Sequence, residues 1–343
     1  MSTDIDPGAT RTALDLVTAA WRAQCVYAAV KLRLPDLVSA GHTRAPDLAR
    51  AAGADEDAVR RLLRLLVRLG VFEVRDGGGY GTTAVGEQLR DGPGSLRDLC
   101  LLYGEEFYQA WGQAGETFRT GRPGFEEAYG QTFDSYLRDD ADAAQRFQRA
   151  MQAQANGLSF DAIAEEIDFG ADRHVVDIAG GSGRLLSTVL RAAPEARGTL
   201  LDLEHMLPVA RAHLERTVGA DRAAVVAGNM FTDRLPADAD TYLLSRVLGD
   251  WPDADCVRLL RKVREAMAEH SRLVVIELVV QEDHDGLLAP LWDLHLMVVN
   301  GGRQRTLGEY RALAARSGLS VERLVPLPAE VTALVLSPQA GEA

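Results

Sequence analysis

What this chain lacks narrows its class before any motif is read. It has three cysteines in 343 residues, Cys25, Cys100 and Cys256, and no pair stands at C-x-x-C spacing. That excludes a cysteine zinc site and a disulfide framework, and it predicts reduced thiols. No spacing of His with Asp or Glu reads as a metal site, so no metal is expected. No apolar run reaches the ~18 residues that suggest a membrane helix. The stretch Met1–Pro7 is acidic and lacks the basic and apolar regions of a signal peptide, which predicts a cytoplasmic protein. Positive charge is scarce: 37 Lys and Arg against 50 Asp and Glu leave a net charge of −13. Such a balance argues against broad binding to nucleic acid or an anionic membrane. What remains is a large acidic chain, 47% hydrophobic and long enough for two domains or one elaborated domain.

The most informative stretch present is Val175-Val-Asp-Ile-Ala-Gly-Gly-Ser-Gly-Arg184. Apolar residues around Asp177 predict a short buried strand. Gly180, Gly181 and Gly183 follow, and then Leu185, Leu186, Val189 and Leu190 recur at helical spacing. Strand, glycine turn and helix form the opening unit of a nucleotide-binding α/β fold. The dinucleotide fingerprint is incomplete, because its third glycine would fall at Leu186. Asp202 ends the next apolar strand, and a carboxylate there suits both hydroxyls of a ribose. Together these predict an adenosine-containing ligand.

Read in order, residues 10–34 predict one long helix, apolar on more than one face. Such a helix needs either its own domain or a second subunit to cover it. Residues 43–90 predict helix, turn, helix and hairpin, a winged-helix pattern. Arg60, Arg61, Arg64 and Arg68 lie on its second helix, where a DNA reader would place contacts, but Asp47, Asp55, Glu56, Asp57 and Asp76 surround them. Residues 95–165 predict helices rich in aromatics, Trp111, Phe125, Phe133 and Tyr136 among them. These make either ordinary core or a lid over an aromatic substrate, with Met151 and Asn156 facing the pocket. From 170 onward strands and helices alternate. They predict a seven-stranded doubly wound sheet with its ligand at the carboxyl ends of the strands.

The motif 176–183, Asp202, Gly228-Asn-Met-Phe231, Leu244-Ser-Arg-Val-Leu-Gly-Asp-Trp251, Glu277, Trp292-Asp-Leu-His-Leu-Met297 and Gly301-Gly-Arg-Gln-Arg-Thr306 occur in that order. In these residues the chain resembles the S-adenosylmethionine-dependent methyltransferases of the plant-type (class II) O-methyltransferase family, in its bacterial natural-product branch, most of all the phenazine methyltransferases. The resemblance implies a winged-helix-like dimerisation domain over 1–100, a helical linker and substrate lid over 101–165, and a Rossmann-like cofactor-binding domain over 166–343. It also implies a homodimer acting on a small aromatic substrate. Carried over, Gly180, Gly181 and Gly183 lie against S-adenosylmethionine and Asp202 holds its ribose. Asn229 and Met230 flank the adenine, and Ser245 and Arg246 lie near the methionine end. Met151, Asn156, Trp292, Asp293 and Met297 are the implied substrate-binding residues.

Two positions depart from the family pattern. Asn229 stands where the family has Asp. Gly249 stands where it has the catalytic histidine, directly before Asp250; Asp250 and Glu277 match the family's acidic positions, and Gln304 occupies a later glutamate position. A phenol with a pKa near ~10 gains from a general base. A ring nitrogen or an acidic hydroxyl does not need one. The missing base therefore predicts an aromatic substrate such as a phenazine, methylated largely through alignment and desolvation, or a replacement base, for which His295 is the candidate. Two other readings stay open at this stage. One is an enzyme of this fold that keeps the cofactor but hydroxylates, decarboxylates or rearranges. The other is a DNA-binding regulator.

Overall fold

The computed structural model describes residues 6–156, 160–281 and 286–339. The chain forms two compact units, each built from two stretches of sequence: Met1–Gln109 with Ser135–Asn156, and Ala110–Asp134 with Gly157–Ala343.

The first unit is helical. The single helix expected over 10–34 is two helices, Pro7–Val17 and Ala19–Lys31. The first helix ends at Thr18, whose backbone leaves helical geometry (φ −95°, ψ 1°) while its N–H and hydroxyl both bond Leu14 O, at 3.0 and 2.7 Å. Helices Ala45–Ala52 and Glu56–Arg68 follow, the second capped by Asp55, whose carboxylate accepts the Ala58 N–H at 2.8 Å. A two-stranded hairpin, β1 (Phe72–Val74) and β2 (Tyr80–Thr82), completes the winged-helix pattern. Val59, Leu63 and Leu66 bury one helical stripe against Leu34, Leu48 and Phe72. On the other face Arg60 pairs with Glu56 and Asp57, and Arg61 pairs with Asp57.

The second unit is a layered α/β domain. Its strands are β3 (His174–Ile178), β4 (Arg197–Asp202), β5 (Ala223–Ala227), β6 (Thr241–Ser245), β7 (Arg272–Val280), β8 (Arg305–Thr306), β9 (Leu319–Pro326) and β10 (Val331–Pro338). Along the sheet they run β5-β4-β3-β6-β7-β10-β9, seven strands as expected, with the two-residue β8 pairing beside the end of β7. β3 to β7 are parallel to one another, and β10 runs antiparallel to both β7 and β9. Both sheet faces are covered, so the strands read as nearly unbroken apolar runs. Leu243 and Val274 pack on one side with Leu186, Val189 and Phe169. Tyr242, Leu244 and Val275 pack on the other with Leu259, Val263 and Tyr310. The strand order reverses between β3 and β6, and a ligand crevice opens at such a reversal. Two non-glycine residues adopt left-handed backbone there, Ala179 after β3 (φ 55°) and Arg246 after β6 (φ 56°). Strain of this kind collects at functional sites.

Candidate active site

Two groups of side chains form at the carboxyl edge of the parallel strands. The first follows β3 and β4. Gly183 (φ 77°) starts the helix Arg184–Ala192 directly after the turn. A side chain on Gly180 would sit 2.6 Å from Asp177 Oδ2 and 2.8 Å from Leu200, so only glycine fits. Gly181 differs: its backbone is left-handed (φ 57°), and a Cβ there would meet no protein atom within 4 Å. It would project into the open space over the turn, the cradle a bound ligand fills. Asp202, at the end of β4, accepts the Gly181 N–H at 2.8 Å and the Leu203 N–H at 2.7 Å through different oxygens. Each oxygen keeps acceptor capacity, which suits a vicinal diol. Burial raises the Asp202 carboxyl above its ordinary range, opposed by those two N–H groups. Beside it, burial and the Asp202 charge push Asp177 up to about 8, and its Oδ2 is buried with no partner. The Gly228 N–H donates to Asp202 O at 2.9 Å, which brings Asn229 and Met230 to the same edge. Asn229 folds onto its own loop: its Oδ1 accepts the Phe231 N–H at 2.8 Å, and its N–H donates to Asp233 at 2.8 Å. The turn, the open space over Gly181 and a carboxylate with spare acceptor capacity fit S-adenosylmethionine.

The second group follows β6 and β7. Ser245 ends β6, Arg246 follows it, and Gly249 and Asp250 close the loop. Glu277, buried on β7, accepts the Val247 and Leu248 N–H groups at 3.0 and 2.9 Å through Oε1, while its Oε2 is buried without a partner. Burial and the charge of Asp250 push Glu277 up to about 7. Asp250 keeps solvent access in its recess, yet the atoms packed around it push its carboxyl up to about 6, opposed by Arg246. Asp293, on the helix Leu288–Val299, accepts the Gln304 N–H at 2.7 Å. A Cβ on Gly249 would lie 3.1 Å from Gln304 Nε2 and 3.4 Å from Leu296, so the place of a side chain at 249 is already crowded.

His295, on the same helix, is 8% exposed, and burial pushes its pKa down to about 4. The Trp111 indole donates to its Nδ1 at 3.2 Å, and the Trp292 ring lies 5.6 Å from it. Met297 is half-buried on the same helix. Met151 belongs to the first unit, half-buried on the helix Ala141–Asn156, and the side chain of Asn156 lies outside the described residues. Among the described residues no cluster of His, Cys, Asp and Glu is arranged to hold a metal ion.

Sequence reasoning missed Arg305, a fully buried arginine that ties the loop together. It donates to Leu248 O and Trp251 O, both at 2.7 Å, and to Asp253 Oδ1 through Nε and Nη2 at 3.0 and 2.9 Å. It also missed Asp177 and Trp111 as site residues. The aromatic content of 95–165 was visible, but no local signal marks which ring meets a histidine 184 positions away.

The folded protein holds the Glu277 proton more tightly than the unfolded chain does. That contribution to stability is complete below the ordinary carboxyl range and is lost as pH rises toward 7. Glu277→Gln is therefore expected to gain stability over the parent between pH 5 and pH 8, on the order of 2 kcal/mol. Denaturant titration of the cofactor-free protein at both pH values measures this; parallel curves would contradict it.

Comparison with known proteins agrees with this geometry. The profile of the O-methyltransferase domain matches residues 111–320, and that of the O-methyltransferase dimerisation domain matches 14–90. The phenazine-1-carboxylate N-methyltransferase of Pseudomonas aeruginosa is 42% identical over 327 residues, covering 95% of this chain and 97% of that protein. The phenazine O-methyltransferase of Lysobacter antibioticus is 35% identical, covering 91% and 92%. Among solved structures, an O-methyltransferase of neocarzinostatin biosynthesis, in complex with S-adenosylmethionine and 2-hydroxy-5-methyl naphthoic acid, superposes with a TM-score of 0.77. It is 35% identical, covering 92% of this chain and 95% of that one. The turn at Gly180–Gly183, the reversal point beside it and these matches over nearly the whole chain lead to one conclusion: this chain belongs to the O-methyltransferase family and is an S-adenosylmethionine-dependent methyltransferase.

Proposed function

We propose that this enzyme methylates a phenazine, or a closely similar fused heteroaromatic, on a ring nitrogen. Gly249 carries the reading. The position before Asp250 offers no side chain to take a proton, and a pyridine-like nitrogen has none to give up. The acid pair favours the same acceptor. A ring nitrogen becomes cationic as it gains the methyl, and the potential of Asp250 and Glu277 stabilises that charge. The same potential would oppose ionisation of a phenol. That two relatives are named for phenazines supports the substrate class, and the first is named for N-methylation.

S-adenosylmethionine supplies a methyl group on a positively charged sulfur. Asp202 holds the ribose, Gly180 and Gly181 bring backbone close to it, and Asn229 and Met230 border the adenine. Ser245 and Arg246 lie at the methionine end, and Arg305 fixes the loop that carries Asp250. Trp292, Asp293 and Met297 line the acceptor side. Most of the barrier is removed by alignment, for which well-oriented reactants contribute ~7–11 kcal/mol. The enzyme works as a homodimer in the cytoplasm. Leu14, Leu16, Val17 and Trp21 are exposed apolar residues on its first two helices, and three free thiols suit a reducing compartment.

The test is incubation with methyl-labelled S-adenosylmethionine and a panel of phenazine carboxylic acids, hydroxyphenazines and phenols. Label on a ring nitrogen supports the reading, and label only on phenol oxygens overturns it. Gly249→His is expected to lower kcat/KM on the phenazine, roughly tenfold to a hundredfold, because the imidazole must displace Gln304 and Leu296. A variant more active than the parent would mean that a base had been wanting.

A further inference from the structure

We propose that Trp111 is a positioning residue for methyl transfer: it holds His295 with its proton on Nε2, so that His295 donates to a carbonyl or carboxylate oxygen on the aromatic substrate and takes up no proton. This rests on the reading above that a substituted heteroaromatic is the acceptor. An indole N–H only donates, so the Nδ1 it meets at 3.2 Å carries a lone pair and no hydrogen. A neutral imidazole then has its hydrogen on Nε2. The ring is buried and sits against Trp292, a setting that disfavours the imidazolium. Its basic lone pair is the one Trp111 occupies.

The helix Leu288–Val299, which carries His295, borders the site along the face of Asp293 and Leu296, and His295 turns from that face toward Trp111. Leu296, next to His295, is 3.4 Å from where a Cβ of Gly249 would be, and Asp293, one half-turn earlier, holds the Gln304 backbone. Trp111 opens the segment Ala110–Asp134, which packs within the second unit. In mid-segment Pro123 comes within 3.4 Å of a Cβ built on Gly301, and at its end Asp134 adds to the negative potential at Asp250. The segment thus borders both the helix Leu288–Val299 and the Gly249 loop. A donor fixed on that helix selects rings that carry an acceptor oxygen.

The experiment uses the full-length protein labelled with 15N-histidine, with His295→Gln to assign the resonances, beside steady-state kinetics. His295 of the parent is expected to show the Nε2–H tautomer from pH 5 to pH 8, and Trp111→Phe is expected to show a mixture. His295→Gln, which keeps an N–H donor, should hold kcat/KM for a phenazine carboxylate within about threefold. His295→Leu should raise its KM by about tenfold to a hundredfold with kcat little changed, and should leave unsubstituted phenazine nearly unaffected. A proton on Nδ1 in the parent overturns the proposal. So does an equal fall in kcat for the Gln and Leu variants together with loss of the acid limb of the pH–rate profile, the signature of a base. If no phenazine takes the label while the Nε2 tautomer is present, the substrate reading and the donor role both fall, and the Trp111 lock on the ring stands.

Discussion

Arg305→Met is expected to cost about 2–5 kcal/mol of stability, the cost of under-satisfying two buried carbonyls, a fall in Tm of roughly 2–4 °C for each kcal/mol lost. The guanidinium is fully buried and satisfies Leu248 O, Trp251 O and the Asp253 carboxylate together. Methionine fills much of the volume and donates nothing. The Leu248 carbonyl would keep the Trp251 N–H at 3.4 Å and the weak Cys256 thiol at 3.3 Å, and the Trp251 carbonyl only that thiol at 3.4 Å. Asp253 is half-open to water and keeps its charge at small cost, so the loss falls mainly on the two carbonyls. Because those carbonyls flank Gly249 and Asp250, activity should fall as well at temperatures where the variant is folded. Lysine at 305 brings the charge without the planar fork and should recover only part of the loss. Thermal melts with assays at low temperature measure both effects. A Tm within a degree of the parent would show the loop to be held by other contacts.

Asp202→Ala is expected to weaken binding of S-adenosylhomocysteine about a hundredfold to a thousandfold while leaving the melting temperature nearly unchanged. Each charge-assisted hydrogen bond to a ribose hydroxyl is worth about 1.5–3 kcal/mol, and about 1.4 kcal/mol is a tenfold change in affinity. The folded state loses little, because Asp202 is itself pushed toward its neutral form by burial. Removing it also relieves its repulsion on Asp177. Asp202→Asn keeps the shape and one acceptor and should fall between. Calorimetric titration of the three proteins decides it, and affinity unchanged in the Ala variant would move ribose recognition to another residue.

What the sequence made legible follows the range of the interactions. The glycine turn and Asp202 were readable because neighbouring residues carry them: a strand, a turn needing left-handed backbone, and an acid at the next strand end. The alternation of β3 to β7 with helices was readable from apolar periodicity, and a doubly wound sheet followed from it, though not the order of its strands. The break at Thr18 was not, because the apolar pattern continues through it and only one residue's backbone (φ −95°, ψ 1°) departs from the helix. β8 is two residues long, below what periodicity detects. Arg305 looks like any arginine in sequence, since its burial depends on carbonyls 57 and 54 positions earlier. The same limit applies to Trp111 and His295, whose meeting only the folded chain reveals.

The interleaving of the two units also bears on how such enzymes can diversify. Ala110–Asp134 lies in the sequence of the first unit but packs with the second. A genetic exchange that joined the front of one gene to the back of another near residue 157 would pair a foreign Trp111, Pro123 and Asp134 with a resident His295, Gly301 and Asp250. Substrate preference would then travel partly with each parent, and many such chimaeras would carry mismatched walls. Exchange upstream of residue 110 keeps those residues together. Hybrid genes that retain activity should therefore have their junctions concentrated there.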